Sequence, residues 1–385
     1  MRILLVSDVY LPTVSGVATS TDSIARYMAK QGHTVTLVCP KPLDAYIALK
    51  TAGLTILYTP GVVDTLVVNK SMTVFPLGFG VLWQAFRTQN FDIVHIQEPG
   101  SLGVTALFLA KWFGVPTVGA QHFSWSQIQK LAPAAIRFIS VPFMKFYVRI
   151  LYSLYDVIMV PTRTAKTELE AIMGGKRSIY PVSNGVDTTV YTPGEGNKAP
   201  LRAKYRLPKA LPIFLYIGRL DRDKNIETIL RAAAKATVPH HLVIAGVGKE
   251  RETLMLLAET LKLSNITWIG EVQKPMIIDL YRLADVFVIM SPVETQSIVA
   301  LQAISCGLPL IAANAGALPE LVNGKNGQLV DTYDVVTLAT VMDEYATDQA
   351  KRDAMGKASR ALSITHHKPT VLAKLEALYK KVGKT

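Results

Sequence analysis

The sequence predicts an α/β protein of two doubly wound domains, on three observations. Short apolar, β-branched runs alternate with helical patterns along the whole chain. A Gly- or Pro-containing turn separates most of them, and one Pro- and Gly-rich stretch near the middle interrupts the rhythm before it restarts. Strands that are apolar throughout, with helices between them, argue for parallel sheets covered on both faces. A length of 385 residues suits two cores at roughly 150 residues per domain.

Residues 3–6 read as a buried strand and residues 17–31 as a helix, with Gly32 at the C-terminal stop. Residues 34–38 form the next strand, followed by strands at 93–95, 117–119 and 157–160 with helical segments between them. Residues 192–200, Thr-Pro-Gly-Glu-Gly-Asn-Lys-Ala-Pro, are the best linker candidate. Beyond it come strands at 213–217, 241–245, 266–268 and 286–290, with helices from Asn225, from Lys249, near Met276 and from Gln296. The expected division is therefore 1–192, 193–365, and a terminal helix over 366–385 that packs back on the first domain. In such sheets ligands sit beyond the carboxyl ends of the strands, and two facing domains place a cleft between them.

Composition narrows the function classes. Hydrophobic residues make up 50% of the chain, so disorder and fibrous repeats are excluded. Cys39 and Cys306 are the only cysteines, which excludes a disulfide scaffold and a cysteine metal cage. The net charge of +12 admits nucleic acid, an anionic membrane surface or a phosphorylated substrate. Up to Thr192 there are 16 basic and 10 acidic residues, and after it 25 and 19, so each part carries +6. With no single basic tract and no recognised module, nucleic acid is not an expected partner. Arg2 before residues 3–6 resembles a signal peptide, but Ser7-Asp8 ends the apolar run. Residues 102–120 are broken by Lys111, Gly114 and Pro116, so no spanning helix is expected. The expected place is the cytoplasm, peripherally on the inner face of the cell membrane.

Three stretches could carry chemistry. Gly16 stands at the turn from the first strand's loop into a helix, where amides and the helix N-terminus attract an anion, or where turn chemistry alone wants a glycine. There is no G-x-G-x-x-G fingerprint. Residues 218–225, Gly-Arg-Leu-Asp-Arg-Asp-Lys-Asn, put three cations at a strand's carboxyl end. The Arg219 fork and the Lys224 point charge suit a diphosphate, unless Asp221 and Asp223 merely neutralise a solvated loop. The Asp-x-Asp spacing here is a poor metal site because Arg222 lies between the acids, and no metal is expected. Residues 291–303 follow an apolar strand, with Glu294 just before a helix and Gln296, Ser297 and Ile298 offering amides at its start. Glu294 either binds ligand or simply caps that helix.

In order and spacing these stretches, with residues 307–309 and 315–322, resemble the retaining family 4 glycosyltransferases of GT-B fold. Gly16, residues 32–35, residues 92–95 and residues 184–187 agree with that resemblance. Glu294-Thr295-Gln296 further resembles bacterial diacylglycerol and phospholipid glycosyltransferases. The resemblance implies two Rossmann-like domains facing each other across a cleft. It implies a nucleotide-diphosphate sugar donor, UDP-glucose by preference, as co-substrate with no cofactor. Arg219 and Lys224 would grip the donor diphosphate, Gly16 would approach it, Glu294 would hold sugar hydroxyls, and His122 would lie near sugar and acceptor. Gln296, Ser297, Ile298 and Glu320 fall on the donor side. Gln302 stands where the family has a second acid for the ribose; a carboxylate accepts two hydrogen bonds from a diol, whereas an amide offers one acceptor and one donor group. Ser15 stands where many members have a second glycine. A soluble sugar acceptor, or a non-catalytic sugar-nucleotide-binding protein, are the alternatives to transfer onto a lipid.

The acceptor must be read from the first half. Between Glu98 and Asp156 there is no acid, while Lys111, Lys130, Arg137, Lys145 and Arg149 lie there. Residues 133–155 interleave these with Phe138, Phe143, Phe146, Tyr147, Ile150, Leu151 and Tyr152. Lys145 and Arg149 stand one helical turn apart, and cations beside aromatics describe a helix lying in an anionic interface. The competing expectation is that the aromatics are ordinary core. A membrane lipid acceptor and an anionic membrane surface are thus the expected partners.

Overall fold

A computed structural model describes residues 1–13, 15–42, 50–64, 70–72, 77–124, 137–175, 178–194 and 196–384. The chain divides into two units, residues 1–183 with 371–385, and residues 184–370.

The first unit is built on strands β1 (Arg2–Val6), β2 (Thr34–Pro40), β3 (Leu54–Thr59), β6 (Ile93–Ile96), β7 (Thr117–Ala120), β8 (Val157–Val160) and β9 (Ile179–Pro181), with a small hairpin of β4 (Val62–Asp64) and β5 (Lys70–Met72). The seven strands pair in parallel in the order β3-β2-β1-β6-β7-β8-β9. Ile3, Leu4, Leu5 and Val6 are fully buried because helices cover both faces, which is why the strand reads as a continuous apolar run. The helix Gly16–Lys30 begins at Ser15, whose Oγ accepts from the Ala18 amide at 3.0 Å. The residue that departs from the paired-glycine pattern is thus the helix cap.

The second unit has β10 (Ile213–Ile217), β11 (His241–Ala245), β12 (Ile266–Ile269), β13 (Val286–Ile289), β14 (Leu310–Ala313) and β15 (Gly327–Val330), all parallel, in the order β12-β11-β10-β13-β14-β15. The strand order reverses between β10 and β13, where a doubly wound sheet opens a crevice at its carboxyl edge. Strands β3, β4, β5, β9, β14 and β15 are additions to those read from sequence.

The division falls after Ser183, nine residues before the expected 192, and the Pro- and Gly-rich stretch is no free linker. Arg282 Nη2 donates to Thr192 Oγ1 at 2.6 Å, Arg360 holds the carbonyls of Thr188 and Tyr191 at 2.9 and 3.0 Å, and Lys198 pairs with Asp285 at 2.8 Å. These bonds tie residues 188–198 to the second unit, whatever their composition.

The helix Lys368–Val382 contributes Val371, Leu372, Leu375, Leu378 and Tyr379 to the core of the first unit, alongside Ile3, Leu5, Ile24 and Ile93. Leu375 is fully buried there. Leu375→Ala should therefore lower unfolding free energy by about 2–5 kcal/mol. Urea denaturation followed by circular dichroism measures it; a loss under about 0.5 kcal/mol would show the helix is not core.

Candidate functional site

In the second unit, the loops after β10 and β13 meet at the switch point. Asn225 adopts the left-handed backbone (φ 50°), an uncommon conformation that Asn tolerates best among residues with a Cβ. Its Nδ2 donates to the carbonyls of Met290 at 3.1 Å and Thr332 at 2.7 Å, binding the β10 loop to the ends of β13 and β15. Ser291 Oγ adds a bond to the Asp223 carbonyl at 3.1 Å. On this frame Lys224 Nζ is 2.8 Å from Glu294 Oε1, both groups being mostly buried. Arg219, half exposed, pairs with Asp221 and lies 3.3 Å from Asp223. Asp221 also accepts the Lys249 amide at 3.0 Å.

Gly316 shows how tightly Glu294 is held. Its φ is +55°, and a Cβ added there would lie 2.7 Å from both the nitrogen and the carbonyl oxygen of Glu294. The Ala317 amide donates to that carbonyl at 2.9 Å. Glu320 follows, exposed on the turn Leu318–Glu320.

The helix expected from Gln296 runs Ile298–Ser305. Ser297 caps it, its Oγ accepting from the Ala300 amide at 3.3 Å. Gln296 is buried, and its Oε1 accepts from the Asn184 amide at 2.7 Å. Ile298 stands partly buried at the first helical position. Gln302 is held at both ends of its amide: Tyr281 Oη donates to Oε1 at 3.1 Å, and Nε2 donates to Tyr191 Oη at 3.0 Å. Sequence reasoning did not include Tyr191, Tyr281 or Asn225 in the site; an Asn directly before a helix was the one visible signal.

In the first unit, Gly16 is exposed in the opening turn of its helix. His122 lies beyond β7 and its Nε2 is 3.1 Å from Gln97 Oε1. Gln97 Nε2 in turn sits 3.2 Å from the His95 ring nitrogens, and His95 Nδ1 bonds Tyr379 Oη. Loss of hydration pushes His122 down to about 4, and burial, with the nearby His122, pushes His95 down to about 3. Both rings are therefore neutral at pH 7.

The helix Arg137–Ser153 turns Val148, Leu151 and Tyr152 inward, a narrow stripe that joins the core shared with Leu102, Ala106 and Leu107. Leu151 and Tyr152 are thus core residues, not surface ones. Phe143 and Phe146 are 67% and 62% exposed, and Phe138, Tyr147 and Ile150 are exposed as well. Lys145 and Arg149 are exposed beside them. Lys130 and the Arg137 side chain lie outside the described residues. Lys111 is paired with Asp156 at 2.9 Å, so it adds less to the positive surface than its place in sequence suggests. The helix Ser101–Trp112 shares the same core and exposes Phe108 and Trp112, the latter 79%. Those two were not singled out from sequence, because an apolar residue on a helix that is apolar all round gives no sign of facing outward. Among the described residues, no helix is long and apolar enough to cross a membrane.

Residues 14–190 match glycosyltransferase family 4, and residues 197–362 match glycosyl transferases group 1. The chain belongs to the family 4 glycosyltransferases. It is 31% identical over 261 residues to D-inositol 3-phosphate glycosyltransferase of Mycolicibacterium smegmatis, a match covering 66% of this chain and 59% of that protein. It is 26% identical to alpha-monoglucosyldiacylglycerol synthase of Streptococcus pneumoniae over 84% of this chain and 74% of that one. Sucrose-phosphate synthase of Thermosynechococcus elongatus shares the fold, with a TM-score of 0.81 at 21% identity over 99% of this chain and 98% of that chain. As in other GT-B members, the family 4 chain has two parallel-sheet, Rossmann-like units.

Because His95 and His122 bind protons less readily folded than unfolded, the unfolded chain takes up more protons between about pH 6.5 and 4. The stability the two histidines contribute should therefore be complete above about pH 6.5 and fall as pH drops through that window. Asp8 offsets this in part, because burial raises it to about 6 and it takes up its proton more readily in the folded chain. Denaturation midpoints across pH, with imidazole NMR titrations, check this; a His122 inflection near 6.5 would contradict it.

Proposed function

We propose that this protein is a retaining hexosyltransferase that moves a sugar from a nucleotide-diphosphate donor, UDP-glucose by preference, to a membrane lipid such as diacylglycerol or a phospholipid headgroup. The observation that carries the donor half is the Arg219, Lys224 and Glu294 group at the switch point of the second sheet. Arg219 and Lys224 would neutralise the departing diphosphate, with amides at the start of Ile298–Ser305 adding to them. Glu294 would accept from sugar hydroxyls once the donor competes for Lys224.

The step is a same-face displacement. The bond from the anomeric carbon to the diphosphate oxygen breaks, the bond to the acceptor oxygen forms, and the acceptor proton passes to the leaving diphosphate. The two cations take the part a divalent metal plays elsewhere, so the reading needs no cofactor. Neutral His122 would act on the acceptor side as a hydrogen-bonding group, not as a charge.

The lipid acceptor is supported by the outward Phe108, Trp112, Phe143 and Phe146 with Lys145 and Arg149. Aromatic side chains of about 150–250 Å² each, left in water beside cations, gain most by entering an anionic interface. The synthase of Streptococcus pneumoniae is named for a glycosylated diacylglycerol, which fits this reading. The chain would then act as a peripheral protein on the membrane.

Arg219→Ala and Lys224→Ala should each lower turnover by about two to three orders of magnitude, the loss of roughly 3–4 kcal/mol of charge stabilisation. Release of nucleoside diphosphate from UDP-glucose or GDP-mannose, with a lipid extract as acceptor, measures it, and circular dichroism checks folding. Near-normal turnover in both variants would sink the assignment.

On liposomes, the protein should float with anionic vesicles at low salt and less at high salt, since Lys145 and Arg149 are screened. A Trp112→Ser, Phe146→Ser variant should bind at least about ten-fold more weakly at both salts, because the apolar part is not screened. No flotation of the unaltered protein at low salt would remove the membrane from the reading.

A further inference from the structure

Within the second unit, one carboxylate oxygen lies between the two cations assigned to the diphosphate. Asp223 Oδ2 is 3.3 Å from Arg219 Nη2 and 3.5 Å from Lys224 Nζ. Asp223 does not drift into this place: Ser291 Oγ holds its carbonyl at 3.1 Å, and its neighbour Asn225 ties the loop to the ends of β13 and β15. Asp221 differs, since the Lys249 amide binds its other oxygen at 3.0 Å and builds it into the loop. Lys224 also meets Glu294, and Arg219 also meets Asp221, so each cation already faces two acids.

We propose that Asp223 is an internal anion that takes the place of a diphosphate oxygen and weakens the hold of Arg219 and Lys224 on both donor and nucleoside diphosphate product. The inference rests on the donor reading above. A bound diphosphate carries more charge than one carboxylate and gathers amides as well, so it displaces Asp223. The carboxylate then either turns away from two cations or stays as a like charge a few ångströms from the phosphate; both lower affinity. Its return after transfer speeds departure of the product, which would otherwise be gripped as firmly as the donor. A carboxylate that only positioned Arg219 would do the reverse, since its removal would loosen the guanidinium and weaken binding.

Isothermal titration with inorganic pyrophosphate and with UDP, in low salt, separates these outcomes for the unaltered chain, Asp223→Asn, Asp223→Glu and Lys224→Ala. Asp223→Asn should bind both ligands roughly ten-fold more tightly, between the aqueous and interior limits for removing one like charge. Asp223→Glu should stay near the unaltered affinity, and Lys224→Ala should bind far more weakly. Thermal melts confirm that each variant folds. Equal or weaker binding by Asp223→Asn, with the unaltered chain binding well and Lys224→Ala poorly, would overturn the inference and leave the donor reading standing. No binding by any variant, or binding indifferent to Lys224, would overturn the donor reading and this inference with it.

Discussion

The ion pair between Lys224 and Glu294 is the contact on which the second unit's site depends. It joins the loop after β10 to the loop after β13, the two strands that flank the reversal in strand order. A mostly buried ammonium is tolerable only with a counter-charge close by, and a mostly buried carboxylate likewise. Each loop therefore supplies what the other lacks. Asn225, Ser291 and Gly316 are subordinate to that arrangement, because they fix the backbones from which the two charges reach each other. Without ligand the site is thus neutralised by its own acids, and its chemistry begins with an exchange of partners.

The first unit obeys a different constraint. Its sheet buries continuous apolar strands, and the helices on one face need only a narrow inner stripe to cover them. Helix Arg137–Ser153 spends Val148, Leu151 and Tyr152 on the core and leaves four aromatics and Ile150 in water. On the other face, the helix Lys368–Val382 closes the core and brings Tyr379 to His95, which begins the polar row His95, Gln97, His122. Neutral histidines suit that buried row, since loss of hydration disfavours a proton on either ring.

Much of this was legible in the residues themselves. Alternating strands and helices foretold two parallel sheets, and a cationic strand end foretold where Arg219 and Lys224 stand. The outward aromatics of 137–153 were legible too, because no acid occurs between Glu98 and Asp156, although Leu151 and Tyr152, grouped with them from sequence, belong to the core stripe with Val148. The linker was misplaced for an equally physical reason. Proline and glycine report that a segment is neither helix nor strand, and not whether Arg282 and Arg360 hold it down.

The sequence by itself determined the fold class, the family, and the kinds of group gathered at each strand end. Periodicity and turn chemistry act between residues close in the chain, so they survive without any knowledge of tertiary neighbours. Only the tertiary structure decided who meets whom. Gln302 is engaged by Tyr281 and by Tyr191, which are 21 and 111 residues away, and Lys224 meets Glu294 across 70. Side-chain hydrogen bonds and ion pairs of that kind depend on distances of a few ångströms set by packing, and no local pattern encodes them.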